Sequence, residues 1–261
     1  MPITNKKNIY FFSDLHLGFP DAKKSRVREK KLTRLLREIK PRAKEVWFLG
    51  DIFDFWWEYK KVIPRGFVRF MGTIADFSDA GIPVHFLPGN HDIWVKNYLT
   101  EELGMTIHHQ PVETIWGNHS FFLAHGDGLG PGEKKYKLLK KLFTNKRLQW
   151  LFSRLHPNLA LGIAHKWSQS SRQKHSYTEF TGRNKEHLIL YAEEKLLRED
   201  FDYFIFGHRH IPMHIDLKKN AELINLGEWL HEYTYAFFDG EKIKLMTYKN
   251  NKEENFSNDI H

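Results

Sequence analysis

Seven residues of this 261-residue chain combine metal-binding side chains with a place just after a short apolar run: Asp14, His16, Asp51, Asn90, His125, His208 and His210. They offer carboxylate, imidazole and amide donors and no thiolate. That mixture suits Mn²⁺, Fe²⁺ or Zn²⁺ better than Cu(I) or an iron–sulfur cluster. Seven donors are too many for one tetrahedral ion. They match two adjacent ions sharing a carboxylate, which lie about 3.5–4 Å apart in two-metal hydrolases. Two such ions bring the pKa of a shared water near neutrality, so that hydroxide forms in place as a nucleophile for hydrolysis. Asp51 is the candidate bridge, because its loop is central and a carboxylate can give one oxygen to each ion. His91 directly follows Asn90, which makes it the candidate general acid for the leaving group. Asp92 either holds the His91 imidazole or caps a following helix.

The elements that must position these residues repeat one pattern. Ile9–Phe12 precedes Asp14 and His16, and Val46–Leu49 precedes Gly50-Asp51. Val84–Leu87 precedes Gly89-Asn90-His91-Asp92, Phe121–Ala124 precedes His125-Gly126-Asp127, and Tyr203–Phe206 precedes Gly207-His208-Arg209-His210. Short apolar runs rich in aromatic and β-branched residues, closed by turn residues, read as buried strands. Ligands in open α/β sheets bind beyond the carboxyl ends of the strands. Turn chemistry accounts for any one of these polar residues, but gives no reason for five strand ends to carry donor types. The other histidines, including His108, His109, His156, His165, His175 and His187, read as ordinary polar residues.

Between the strands, Leu32, Leu35, Leu36 and Ile39 predict a helix over Arg26–Lys40, stopped by Pro41. A second helix is expected over Pro64–Ala80, a short one near Asn97–Leu103 and another over Gly182–Glu199. The aromatic stretch Ile52–Trp57 is either core or a wall of the substrate site. From Gly126 to about Phe180 the strand pattern breaks. Lys134–Leu155 interleaves Leu139, Leu142, Phe143, Trp150 and Leu151 with lysines and arginines, as in basic amphipathic segments at membrane surfaces. Residues 128–180 are read as an inserted helical lid, the alternative being a helical hairpin with a solvated basic face. Strands over Glu222–Leu226, Thr234–Phe238 and Lys242–Tyr248 suggest a second sheet, with Asp239-Gly240 as a hairpin turn. One domain spans residues 1–250, followed by a frayed polar tail over 251–261.

The chain is 41% hydrophobic, enough for a sizeable core, and it has no cysteine. Met1–Asn8 has no apolar signal-peptide core, and no run approaches the length of a membrane span, so a cytoplasmic location is expected. The net charge of +8 favours anionic partners: phosphorylated substrates, acidic lipid or nucleic acid.

Asp-x-His, Gly-Asp, Gly-Asn-His-Asp, a single His and Gly-His-x-His, in this order from Ile9 to about Tyr248, resemble the calcineurin-like metallophosphoesterase superfamily. The resemblance implies an α/β fold, a four-layer α-β-β-α sandwich. The helical insertion, the stretch Gly-Asp-Ile-Phe-Asp-Phe-Trp and the length are similar to the UDP-2,3-diacylglucosamine pyrophosphatase family of lipid A biosynthesis. That resemblance implies cleavage to UMP and 2,3-diacylglucosamine 1-phosphate by a peripheral enzyme on the inner face of the inner membrane. It implies two divalent ions, Mn²⁺ first, with Fe²⁺ or Zn²⁺ as alternatives, a UDP-linked lipid substrate and no nucleic-acid partner. Tyr136 and the stretch with Lys166, Ser168, Ser170 and Arg172 match its substrate-contacting insertion. Asn90, His91, Asp127 and Arg209 are further expected substrate contacts. Well-known members carry Arg where this chain has His91, and His is the residue of the wider superfamily. The alternatives are a soluble phosphomonoesterase, a phosphodiesterase, a nuclease or a non-catalytic scaffold.

Overall fold

Alternate residues of strand β1 (Asn8–Phe12) serve two cores, and the layering follows from that. Ile9 and Phe11 pack with Trp47, Leu123, Ile205 and Ile224, whereas Tyr10 and Phe12 pack with Leu32, Leu36, Phe70 and Phe77. Both faces of the strand are covered, so it reads as a continuous apolar run and not as an alternating one. The computed structural model describes residues 7–131, 140–164 and 180–256. Beside β1 lie the parallel strands β2 (Ala43–Phe48), β3 (Val84–Phe86) and β4 (Thr106–Ile107). A second sheet contains β5 (Val112–Trp116), β6 (His119–Leu123), β7 (Tyr203–Phe206), β8 (Pro212–Asp216) and β9 (Glu222–Leu226). The first sheet is completed on the far side of β1 by β10 (Thr234–Phe238), β11 (Ile243–Lys249) and β12 (Lys252–Asn255), all antiparallel. The strand orders are β12-β11-β10-β1-β2-β3-β4 and β5-β6-β7-β9-β8.

Helices α1 (Ala22–Ile39) and α2 (Val68–Asp79) cover the outer face of the first sheet. A short α3 (Tyr98–Leu103) follows β3. Within the insertion lies α4 (Lys146–Phe152), and α5 (His187–Lys195) sets Leu188, Ile189 and Ala192 against Phe122, Phe204 and Phe206 on the outer face of the second sheet. Helix, sheet, sheet and helix thus stack as the resemblance implied. Among the described residues no helix is long and apolar enough to cross a membrane.

Several boundaries differ from expectation. Helix α1 starts at Ala22, before Arg26, because Asp21 accepts the amides of Lys23 at 2.9 Å and Lys24 at 2.8 Å. Of the three closing strands only Glu222–Leu226 enters the second sheet. The other two extend the first sheet through β10, and the Asp239-Gly240 hairpin joins them as expected. The polar tail does not fray from residue 251. Residues 252–255 pair with β11 as β12, and Glu253 ties that edge down by accepting from Arg42 at 2.8 Å and from the Tyr235 hydroxyl at 2.6 Å. The aromatic stretch divides between its two readings. Ile52, Phe53 and Trp56 are core, while Phe55 and Trp57 face Phe152, Leu161 and Ala164 of the insertion.

Candidate metal centre

All seven candidate donors stand where the sequence pattern puts them, past the carboxyl ends of β1, β2 and β3 of one sheet and β6 and β7 of the other. The chain turns sharply there. Asp14, His16, Asp51, His208 and His210 have φ between 43° and 66°, and among the described residues they make up five of the eleven non-glycine positions with positive φ. Such conformations are costly and persist where surrounding contacts enforce them. The enforcing contacts join the strand ends: Asp14 N–H donates to Gly50 O at 3.1 Å, His16 N–H to Asp51 O at 2.9 Å, and Gly207 N–H to His125 O at 2.9 Å. The Asp14 carboxylate accepts from the His208 amide at 2.9 Å and from the Ser13 hydroxyl.

The donors form two sets with one member in common. Asp14, His16, Asp51 and His210 each offer a ligand atom, all within 4.8 Å of one another. His16 Nε2 is 3.1 Å from His210 Nε2, and His210 Nε2 is 3.0 Å from Asp14 Oδ1. On the other side, Asn90 Oδ1 is 3.0 Å from His208 Nδ1 and 3.3 Å from His125 Nε2. Asp51 Oδ2 stands between the sets, 3.8 Å from His16 Nε2 and 3.5 Å from His125 Nε2. The other Asp51 oxygen accepts from the His91 amide at 2.9 Å. His125 Nδ1 lies 2.7 Å from the Leu49 carbonyl, which makes Nδ1 the donor and turns the Nε2 lone pair into the site.

This arrangement fits a divalent cation. Asp14 Oδ1 is buried without a hydrogen-bond partner although imidazole nitrogens converge on it. A bare buried carboxylate oxygen is expensive unless positive charge stands beside it. Burial works to raise the Asp14 carboxyl, but His210 and His16 outweigh it and hold the group well below the usual carboxylate range. Burial likewise opposes charge on His125, yet Asp51, Asp14 and Asp127 push it up to about 10, so a cation binding there takes the place of its proton. Burial and neighbouring His125 take His208 down to about 3, which leaves its imidazole neutral and able to ligate.

The remaining expected site residues have varied surroundings. His91 Nδ1 is 2.9 Å from the Asp54 carbonyl, and its ring stands edge-on to His16 with centroids 4.9 Å apart. Asp92 does not hold that imidazole, nor does it cap a helix. Its carboxylate accepts the amides of Gly89 at 2.8 Å, Phe53 at 3.2 Å and Asp51 at 3.3 Å, clipping the β3 loop onto the β2 loop. Burial and the Asp51 charge push its pKa up to about 8. The residue beside both imidazoles is Asp54, which sequence reasoning passed over: its Oδ1 is 3.7 Å from His16 Nδ1 and 4.0 Å from His91 Nδ1. An acid inside the otherwise apolar run Ile52–Trp57 was the signal for it. Asp127 is paired with Lys140 of the insertion at 2.7 Å. Arg209 forms a two-pronged pair with Glu186, both contacts at 2.8 Å. Tyr136, Lys166, Ser168, Ser170 and Arg172 lie outside the described residues.

Gly50 shows how tightly the loops close. It has φ +91°, and a Cβ there would lie 2.1 Å from His125 Nδ1. Gly50→Ala should lose about 1–2 kcal/mol to the left-handed backbone alone, and more because His125 must move. Urea denaturation of metal-free protein should show the lowered midpoint. An unchanged midpoint would mean that the β2 loop is slack.

Residues 7–212 match the family model described as calcineurin-like phosphoesterase. A UDP-2,3-diacylglucosamine hydrolase of Porphyromonas gingivalis is 36% identical over 254 residues, covering 92% of this chain and 97% of that protein. Proteins of the same name from Edwardsiella ictaluri and Neisseria meningitidis are each 29% identical. They align with 90% and 87% of this chain, and with 90% and 92% of their own lengths.

Proposed function

The chain belongs to the calcineurin-like phosphoesterase family, and from that premise we propose that it hydrolyses the pyrophosphate bond of UDP-2,3-diacylglucosamine to UMP and 2,3-diacylglucosamine 1-phosphate. The observation that carries the reading is the position of Asp51 Oδ2 between Asp14, His16 and His210 on one side and Asn90, His125 and His208 on the other. Asp14, His16 and His210 would hold one divalent ion, and Asn90, His125 and His208 the other, with Asp51 bridging. The ions are Mn²⁺ first, with Fe²⁺ or Zn²⁺ as alternatives. When bound they supply hydroxide near neutral pH and take up phosphoryl charge. Asp54 keeps His91 turned towards the site through its carbonyl. His91 then meets the phosphoryl oxygens or the leaving group. The experiment that tests the reading is incubation of Mn²⁺-loaded protein with UDP-2,3-diacylglucosamine and analysis for UMP. No UMP, together with turnover of a simple phosphodiester, would favour the phosphodiesterase or nuclease alternative.

The insertion supports a lipid substrate through two unlike faces. Its inner face meets the core in an aromatic seam, with Phe152 4.6 Å from the Trp57 ring and the Trp94 indole donating to Phe143 O at 3.0 Å. Its outer face presents Leu142, Trp150 and Leu151 to solvent. They are 52%, 55% and 57% exposed. Residues 140–164 contain five lysines and arginines and no acid. Apolar and cationic side chains on one exposed helical face suit the surface of an anionic membrane. We therefore place the protein on the inner face of the inner membrane, with the seam taking acyl chain.

The two faces should separate by mutation. Phe152→Asp should raise KM for long-chain substrate by about tenfold or more, since each acyl methylene kept from water is worth about 0.8 kcal/mol. Turnover of bis(p-nitrophenyl) phosphate should stay near the parent's. Trp150→Asp should instead reduce sedimentation with anionic vesicles. Equal losses on lipid and small substrates for Phe152→Asp would leave the insertion as a solvated hairpin.

A further inference from the structure

The exposed face of α1 carries Lys23, Arg26, Lys30, Arg34 and Arg37 at steps of three or four residues, a single basic stripe along the helix. Like charges at these spacings repel and destabilise a helix. Beside the second half of the stripe, α2 docks on α1 through Glu29, whose carboxylate accepts the amides of Arg69 at 2.8 Å and Phe70 at 3.1 Å. That docking brings Arg69 across from the stripe. Between the helices lies a groove of about 560 Å³ lined by Lys30, Thr33, Arg34, Arg37, Glu38 and Arg69. The volume falls within the range of small-ligand sites.

Four cations therefore share this groove with one carboxylate. Glu38 is partly engaged elsewhere, accepting from the Tyr248 hydroxyl at 2.9 Å, and it lies 3.6 Å from Arg34 Nε. Glu29 is taken up by the α2 amides and stays 4.0 Å from Arg69. Among the described residues, Lys30 and Arg37 have no carboxylate partner. Thr33 is buried at the floor, its hydroxyl donating to Lys30 O at 3.2 Å. Guanidinium groups present flat pairs of donors that match phosphate oxygens. None of the groove residues belongs to the metal centre, and the groove stands whatever substrate that centre takes.

We propose that the α1–α2 groove is a second anion site that takes the phosphate group of a phosphorylated ligand with a body of sugar or glycerol size. The phosphate comes either from a free phosphate monoester or from the head group of an anionic phospholipid. Phenylglyoxal footprinting of the metal-loaded wild-type protein, read by mass spectrometry, tests this without mutation. The probes are glycerol 3-phosphate and dihexanoylphosphatidylglycerol below its micellar concentration. Arg34, Arg37 and Arg69 should be modified several-fold more slowly with a probe bound, while exposed Arg198 keeps its rate. Protection by glycerol phosphate assigns a soluble ligand, and protection by the lipid alone assigns a head group. Lys30→Gln with Arg37→Gln should weaken the protecting probe about tenfold or more, as expected for losing charge-assisted hydrogen bonds. Hydrolysis of bis(p-nitrophenyl) phosphate should be unchanged in that variant. The proposal is overturned if neither probe protects, if sodium chloride at equal ionic strength protects equally, if Arg198 is protected to the same degree, or if the double variant binds as the parent does.

Discussion

Asp51→Ala is expected to bring hydrolysis of every phosphoester to background and to lower the metal content of the purified protein. Asp51 Oδ2 stands between the two donor sets, 3.8 Å from His16 Nε2 and 3.5 Å from His125 Nε2. Its loss removes a ligand from each proposed ion and the negative charge that holds them side by side. It also frees the His91 amide, which Asp51 Oδ1 accepts at 2.9 Å. The Asn variant separates these effects, because Asp51→Asn keeps the size and that amide contact but removes the charge. Losing one electrostatic group aimed at a transition state costs about 10²–10³-fold, and here the residue that would hold both ions is changed as well. The Asn variant should therefore fall by at least the upper end of that range. Metal analysis and turnover of bis(p-nitrophenyl) phosphate check both variants. Near-parental metal content and rate in Asp51→Ala would refute the shared-carboxylate centre.

The donors were legible in the sequence because each follows an apolar run directly, and strand direction alone then sends them to one edge. What local pattern could not carry was pairing. Strands β10 and β11 look like the start of a new sheet, yet Ala236 pairs with Phe11 across the chain's whole length. Strand β12 is polar throughout and is recognisable only from its partner β11 and from Arg42 and Tyr235, which meet Glu253. The reading of Asp92 failed for a related reason. The chain bends at His91 and Asp92, so His91 faces the Asp54 carbonyl and the His16 ring while Asp92 turns to three amides of the β2 and β3 loops. Asp54 was hidden because the residues it meets, His16 and His91, come from other strand ends. In the insertion, composition revealed the amphipathic character but not which face would be covered. The partners Trp57 and Trp94 settle that, and they lie on loops distant in sequence.

His91→Ala should retain its metal and lose rate by about 10²–10⁴-fold, the usual contribution of a positioned general acid. Retention follows from the donor sets, neither of which includes His91: its Nδ1 lies 2.9 Å from the Asp54 carbonyl, and its backbone amide donates to Asp51 Oδ1. The leaving group decides what the ring does. In the proposed reaction it is a phosphate ester, whose last proton comes off near pH 6 (roughly). Such a group departs with little need of an acid, so the loss on UDP-2,3-diacylglucosamine should sit at the low end of the range. A diester with an aliphatic alcohol as leaving group needs the proton, and there the loss should be largest. A p-nitrophenyl ester should lose least. That graded series would identify His91 as the acid. A uniform loss across all three would instead show the imidazole gripping phosphoryl oxygens, the task assigned to the Arg that well-known members carry at this position. His91→Arg would then recover activity on the pyrophosphate and fail to recover it on the aliphatic ester.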